Sequence, residues 1–203
     1  MDNTKAIKKE KQREFWRQCI HLFAGILFVV LLSINALTKT IFFIITITAV
    51  IMYLFWRKNA LSLFDWVFSK VERDNEQAGS GAMWYCLGCF LVVILFPSTV
   101  AYASILILAV GDSISHYVGK FYGRIPHPWN KKKNAEGTII AIIFAWLATV
   151  FFVHWLIGFI TTVIVMNLEV IEWRIRRWKI NDNLWMPIVS GLLMWMLQMI
   201  FFN

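Results

Sequence analysis

Four acidic residues from separate segments are the first candidates for chemistry in this sequence. They are Asp112, Glu136, Glu169 and Asp182. Asp112 and Glu169 adjoin long apolar runs, and a charge within a membrane span costs roughly 2.5–3.5 kcal/mol on insertion scales. Carboxylates hold divalent cations and accept protons, so this set predicts a metal site, a general base or both. Taken alone, Asp112 could also be a residue that caps or pairs helices.

Basic residues and glycines fall close to these acids in the sequence. They form the stretches Gly119-Lys120-Phe121-Tyr122-Gly123-Arg124 and Lys131-Lys132-Lys133. Glycine permits close approach of a ligand to the backbone, and Lys and Arg supply charge to phosphate oxygens. Acids beside a basic, glycine-containing loop favour metal-dependent phosphate chemistry, in which Mg²⁺ or another divalent cation bridges phosphate oxygens. The lysine triplet alone could also be a signal of membrane orientation.

Two histidines could join such a site. His116 lies one helical turn after Asp112, where it would be either a ligand or a packing residue. His21 lies one turn beyond Arg17 and could face a phosphate group. Asn183, which follows Asp182, is a further candidate.

Several other classes of site are excluded. The sequence contains no GxxxxGK[ST], HExxH, GxSxG or EF-hand pattern. Cys86 and Cys89 have CxxC spacing, but they lie inside an apolar run and are interpreted as small helix residues. The formal charge of +8 does not indicate a nucleic-acid partner, because the basic residues are confined to short segments between uncharged runs.

Composition and patterning predict an all-α integral membrane protein. The hydrophobic fraction is 59% and only 16% of residues are charged, against about a quarter in soluble domains. The uncharged runs predict a bundle of about seven transmembrane helices, each near the ~20 residues that span a bilayer core. The predicted helices cover 18–38, 40–56, 81–96, 98–118, two helices within 137–168, and 183–203. An amphipathic loop or interfacial helix is expected at 57–77.

The basic residues also predict an orientation. Of the 20 Lys and Arg residues, only Lys39 falls outside the N-terminal segment and alternate connections between helices. The positive-inside rule therefore predicts a cytoplasmic N-terminus, an external C-terminus and a multi-pass protein whose acids cluster at the cytoplasmic face. We interpret residues 1–17 as a basic cytoplasmic segment, followed by a retained first helix, and 18–203 as a single membrane domain. A homo-oligomer is compatible with this sequence.

Six ordered stretches together resemble the dolichol kinase and phytol kinase family, which includes CTP-dependent diacylglycerol kinases and is related to CTP-dependent cytidylyltransferases. They are Glu14-x-x-Arg17…His21…Gly25, Gly111-Asp112, Gly119-Lys120…Tyr122-Gly123-Arg124, Lys133-Asn134-Ala135-Glu136-Gly137-Thr138, Glu169, and Asp182-Asn183-Leu184…Pro187. The resemblance covers about 14–191. Gln18 and Asn134 stand where the family usually has Lys and a hydroxyl residue.

The resemblance implies a lipid-alcohol kinase that moves the γ-phosphoryl group of CTP, or another nucleoside triphosphate, to the hydroxyl of a polyprenol, phytol or diacylglycerol. Asp112 would be the metal ligand or base, Glu136 the second metal ligand, and Glu169 and Asp182 supporting acids. The triphosphate would bind the remaining candidates: Arg17, Gly119, Lys120, Gly123, Arg124, Lys132, Lys133, Gly137 and Thr138.

Two other functions remain open. A cytidylyltransferase that makes a CDP-lipid would use the same donor, metal and basic loop. A transporter or a non-catalytic scaffold is the second alternative, although a transporter would place ionisable groups near the midplane and on both sides.

Overall fold

The computed structural model describes residues 2–58, 79–171, 173–175 and 178–202, and it confirms the all-α fold. Seven helices form within these residues: α1 (Asp2–Ser33), α2 (Lys39–Lys58), α3 (Ser80–Leu95), α4 (Ser98–Tyr122), α5 (Ala135–Thr149), α6 (Trp155–Val170) and α7 (Asp182–Phe202). Most of the predicted interfacial segment at 57–77 lies outside the described residues.

The break between α3 and α4 has a simple local cause. Phe96 is extended, with φ −124° and ψ 160°, because a residue that precedes proline is disfavoured in the helical region. Pro97 is the N-cap residue of α4, a position at which its missing N–H leaves no helical hydrogen bond unmade.

Helix α4 lies at the centre of the bundle and positions the candidate site. Of its most apolar 18-residue window, 72% is buried, against 22% for α1 and 28% for α7. It packs against α1, α3, α5, α6 and α7. Between Ile107 and Asp112 the helix widens to a π-helical turn, a feature that often marks functional sites.

The outer surface of the bundle is apolar. Helices α1, α4 and α7 are long and apolar enough to cross a membrane, and the other four are shorter apolar helices. Bulky residues such as Phe23, Ile44 and Phe159 are exposed, which suits a surface solvated by lipid. These helices support a membrane protein, while the seven-span count and its orientation stay predictions.

Two features differ from the expected layout. Helix α1 begins at Asp2 rather than near residue 18, so it continues without a break past the expected boundary at residue 17. Its charged segment is rich in Lys, Glu, Gln and Arg, which are good helix formers. The connections after α4 and α6 contain small hairpins: β1 (Pro126–His127) with β2 (Asn130–Asn134), and β3 (Arg174–Ile175) with β4 (Trp178–Lys179).

Helices α4 and α5 approach closely at Gly119 and Gly137. A Cβ atom on Gly137 would lie 2.6 Å from the carbonyl oxygen of Ser115 and 2.7 Å from the Cα of Gly119. A Cβ on Gly119 would meet the Cα of Gly137 at 3.7 Å, an ordinary contact. The close packing of the two helices therefore depends on glycine at Gly137 much more than at Gly119.

We expect Gly137→Ala to destabilise the bundle by about 1–3 kcal/mol, because backbone atoms must move to admit the methyl group. Gly119→Ala is the matched control and should be neutral or slightly stabilising, since alanine favours helices. Thermal unfolding of both variants in the same detergent measures the difference. Equal melting temperatures would contradict the close approach.

Candidate active site

One face of α4 carries a continuous row of residues that belong to the candidate site. Its residues are Asp112, Ser115, His116, Gly119 and Lys120. They are spaced i, i+3, i+4, i+7 and i+8, which places them on one side of an α-helix. The π-helical turn ends at Asp112, so this face begins where the helix changes its winding.

The carboxylate of Asp112 lies deep in the bundle between two histidines. Asp112 is only 6% exposed. Its Oδ1 lies 3.2 Å from Nε2 of His116, and its Oδ2 lies 3.6 Å from Nε2 of His21 on α1. Oδ1 has no hydrogen-bond partner among the described residues. An acid so placed is ready to interact with a cation or to accept a proton.

Glu169, near the end of α6, is even more deeply buried, at 2% exposed, and it is well partnered. Its Oε1 forms an ion pair with Lys133 of β2, and its Oε2 accepts a hydrogen bond of 3.1 Å from the hydroxyl of Ser115. The Lys133 ammonium also donates to the backbone oxygen of Glu169 at 2.7 Å. Lys133 thus ties the β1–β2 hairpin to α6.

A cavity of about 410 Å³ opens beside these acids, within the range usual for ligand sites. Helices α4, α5, α6 and α7 and strand β2 contribute to its wall. The lining residues are Ser115, His116, Gly119, Lys120, Asn130, Lys132, Lys133, Asn134, Thr138, Glu169, Ile171 and Asp182. Polar and charged groups dominate, and three of them are lysines.

The cavity brings together many of the residues predicted from the sequence. They are His116, Gly119, Lys120, Lys132, Lys133, Thr138, Glu169 and Asp182. Asp112 adjoins them through His116. Asp182 also accepts a hydrogen bond of 3.0 Å from the indole of Trp185. The ammonium of Lys120 lies 2.7 Å from Glu10 of α1.

Glu136, predicted as a catalytic residue and metal ligand, is not among the residues that line the cavity. Its Oε1 accepts hydrogen bonds from the backbone N–H groups of Arg124 and Ile125, at 2.9 Å and 3.0 Å. The side chain therefore holds the chain that enters the β1–β2 hairpin. Gly123, Arg124 and Gly137 lie outside the lining as well.

Arg17, His21 and Asn183 also lie outside the lining. Arg17 pairs with the buried Glu14 at 2.7 Å, within α1. The His21 ring stacks edge-on against Tyr85, with centroids 4.2 Å apart, while its Nε2 faces Asp112. The Asn183 amide donates to the backbone oxygen of Gly81 and joins α7 to α3.

Sequence reasoning missed Ser115 and Asn130. The helical spacing of Ser115 from Asp112 was a signal for the first. Asn130 carried no comparable signal, because its contacts depend on the fold of the hairpin. Its amide donates to the backbone oxygen of Val170 at 3.0 Å, and its Oδ1 accepts a hydrogen bond from the N–H of Lys132.

Comparisons with known proteins give relatives of moderate identity. An uncharacterised protein of Methanocaldococcus jannaschii is 27% identical over 87% of this chain and 90% of its own length. Phytol kinase of Synechocystis is 32% identical over 57% of this chain and 53% of that kinase. CTP-dependent diacylglycerol kinase 1 of Schizosaccharomyces pombe is 23% identical over 67% and 69%, respectively.

The relatives with assigned activities support a polyprenol, phytol or diacylglycerol kinase-like family for this chain. The match spans about half the length of the Synechocystis kinase. No family model matches the chain, and no solved structure does.

Substitution of Glu136 tests its contact with the hairpin. Glu136→Ala removes the acceptor for two backbone N–H groups. A hydrogen bond to a charged group contributes about 1.5 kcal/mol or more, so the rate of tryptic cleavage after Lys131–Lys133 should rise roughly tenfold. Glu136→Gln keeps an amide oxygen and should change the rate far less.

Mass mapping of the fragments separates hairpin cleavage from cleavage in the basic part of α1, which is the internal control. An unchanged rate in Glu136→Ala would mean that this side chain does not hold the hairpin, and would leave the metal-ligand role as its remaining assignment.

Proposed function

We propose that this protein is a membrane lipid kinase that transfers the γ-phosphoryl group of a nucleoside triphosphate to the hydroxyl of a lipid alcohol. The donor is CTP, and the acceptor is a polyprenol, phytol or diacylglycerol. The observation that carries the proposal is a cavity between apolar helices that is lined by three lysines and by the buried carboxylate of Glu169. The buried Asp112 adjoins this cavity through His116.

The lysines provide the binding site for a polyphosphate. Lys120, Lys132 and Lys133 line the same cavity from α4 and β2. Each ammonium offers three donors to phosphate oxygens. Lys133 already donates to Glu169, and its remaining donor can reach a phosphate while it holds the carboxylate in place. Positive charge at these points stabilises the charge that develops on the transferred group.

Asp112 is the general base of the proposed reaction. It accepts the proton of the lipid hydroxyl as the hydroxyl oxygen forms a bond to the γ-phosphorus. The bond between the γ-phosphorus and the β–γ bridging oxygen breaks, and the nucleoside diphosphate leaves with its electron pair. The two neighbouring histidines hold the carboxylate and its proton in position, through contacts of 3.2 Å and 3.6 Å.

A divalent cation fits the residues present. Asp112 carries a buried Oδ1 without a hydrogen-bond partner among the described residues, and Glu169 is the second carboxylate within reach. Bound there, a cation would neutralise charge on the phosphate oxygens. Glu136 contacts backbone N–H groups instead, so we assign it the positioning of the hairpin.

The lipid class rests on the relatives and on the surroundings of the site. The named relatives act on phytol and diacylglycerol, whose hydroxyl groups lie at the depth of lipid headgroups. An apolar bundle with its polar cavity at one end of the helices brings such a hydroxyl to a water-soluble donor. A cytoplasmic position of that end follows from the positive-inside pattern.

Transfer of label from γ-³²P-CTP tests the function. Purified protein in nanodiscs should label phytol, polyprenol or diacylglycerol, and unlabelled CTP should compete better than ATP. Asp112→Asn should lower the rate by roughly 100-fold or more, since general-base catalysis contributes about that factor. Ser104→Ala is the matched control, because among the described residues this buried hydroxyl of α4 bonds to its own helix alone, at Val100.

Three results would contradict the proposal. Label released as pyrophosphate, with a CDP-lipid product, would indicate a cytidylyltransferase. An active Asp112→Asn variant would remove Asp112 from the role of base. The absence of any labelled lipid over the full acceptor panel would reject the lipid kinase, provided that the protein elutes as a single folded species.

A further inference from the structure

Two carboxylates and an imidazole converge beside the cavity. Asp112, His116 and Glu169 each offer one ligand atom, and these atoms all lie within 4.8 Å of one another. Asp112 and Glu169 are 6% and 2% exposed, while His116 lines the cavity. The three come from two helices, α4 and α6, that the bundle holds in fixed relation.

The partners of these groups leave a deficit of positive charge. Glu169 is balanced by Lys133 and hydrogen-bonded to Ser115. Asp112 contacts the imidazoles of His116 and His21. The guanidinium of Arg17 also attracts it, but Arg17 makes its ion pair with Glu14. One negative charge of the trio is therefore without a full countercharge among the described residues.

Burial makes this deficit important. A buried carboxylate whose oxygen makes no hydrogen bond is costly in an apolar environment. Oδ1 of Asp112 is such an oxygen, and it points toward Nε2 of His116. A cation between the two atoms would satisfy both lone pairs at once.

The separation of these two atoms suits ligands of a single ion. Adjacent ligands at bond lengths of about 2.1–2.2 Å and at right angles lie about 3 Å apart. The observed separation of Oδ1 and Nε2 is 3.2 Å. Glu169 retains lone pairs for a third bond, because a carboxylate has about four acceptor positions.

We propose that Asp112, His116 and Glu169 form a site for a first-row transition-metal ion, which binds there in preference to Mg²⁺. Mg²⁺ takes oxygen ligands almost exclusively, whereas an imidazole in the ligand set favours first-row transition ions. Mn²⁺ is the weakest binder of that series and therefore the most stringent probe of the preference. His116 thus determines which cation the cavity takes. The site concerns ion binding alone and stands whether or not the protein transfers phosphate.

Binding of Mn²⁺ to the full chain in nanodiscs tests the site without any measurement of activity. The free Mn²⁺ signal in electron paramagnetic resonance should fall by one equivalent per chain. Mg²⁺ should displace the bound ion only at more than tenfold excess. His116→Ala should weaken Mn²⁺ binding at least tenfold and change Mg²⁺ binding much less, while His154→Ala, at the opposite end of the bundle, should change neither.

Pulsed resonance identifies the ligand directly. Bound Mn²⁺ should show modulation from an imidazole nitrogen, and this modulation should disappear in His116→Ala but persist in His21→Ala. Asp112→Asn should lose both ions. The proposal is overturned if the modulation survives in His116→Ala, if Mg²⁺ competes on equal terms, or if Asp112→Asn binds Mn²⁺ normally. Size-exclusion profiles of the variants separate these outcomes from misfolding.

Discussion

A carboxylate buried in the centre of an apolar helical bundle is the constraint on which the rest of this structure depends. Asp112 lies in the most buried of the three long helices, where an unpaired charge is strongly unfavourable. Two helices bring a compensating group to it: its own helix supplies His116, and α1 supplies His21. Glu169 on α6 is compensated in a similar way, by an ion pair with Lys133 and a hydrogen bond from Ser115.

Several local features of the backbone position the groups that compensate the two buried carboxylates. The π-helical turn ends at Asp112 and sets the rotation of the polar face that follows. The close approach of α5 at Gly137 brings the start of that helix, with Thr138, to the cavity wall. Glu136 holds one end of the β1–β2 hairpin, and Asn130 joins the hairpin to α6. The hairpin thereby brings Lys132 and Lys133 to the cavity wall.

The sequence predicted the helices well, because uncharged runs of membrane length leave few alternatives to a helix. It also predicted that Glu169, Asp182 and the lysines would meet, since the charge pattern assigned them to one side. It did not predict the partner of Glu136, because a carboxylate that accepts backbone N–H bonds leaves no periodic signal. The hairpins were missed for a related reason: short strands rich in Lys and Asn have no alternating apolar pattern.

The lysines and the acids lie at different depths, and this difference indicates how the site could position its two proposed substrates. The lysines lie near the mouth, where the side chains of Lys120 and Lys133 are 40% and 26% exposed. The acids lie deeper, since the side chains of Asp112 and Glu169 are 8% and 1% exposed. A triphosphate is attracted by the lysines, and a cation held by Asp112 and Glu169 would keep its terminal group between the lysines and the acids. An uncharged hydroxyl can approach Asp112 without either attraction. The donor would then lie on the side of the lysines and the acceptor on the side of the base, an arrangement suited to in-line transfer.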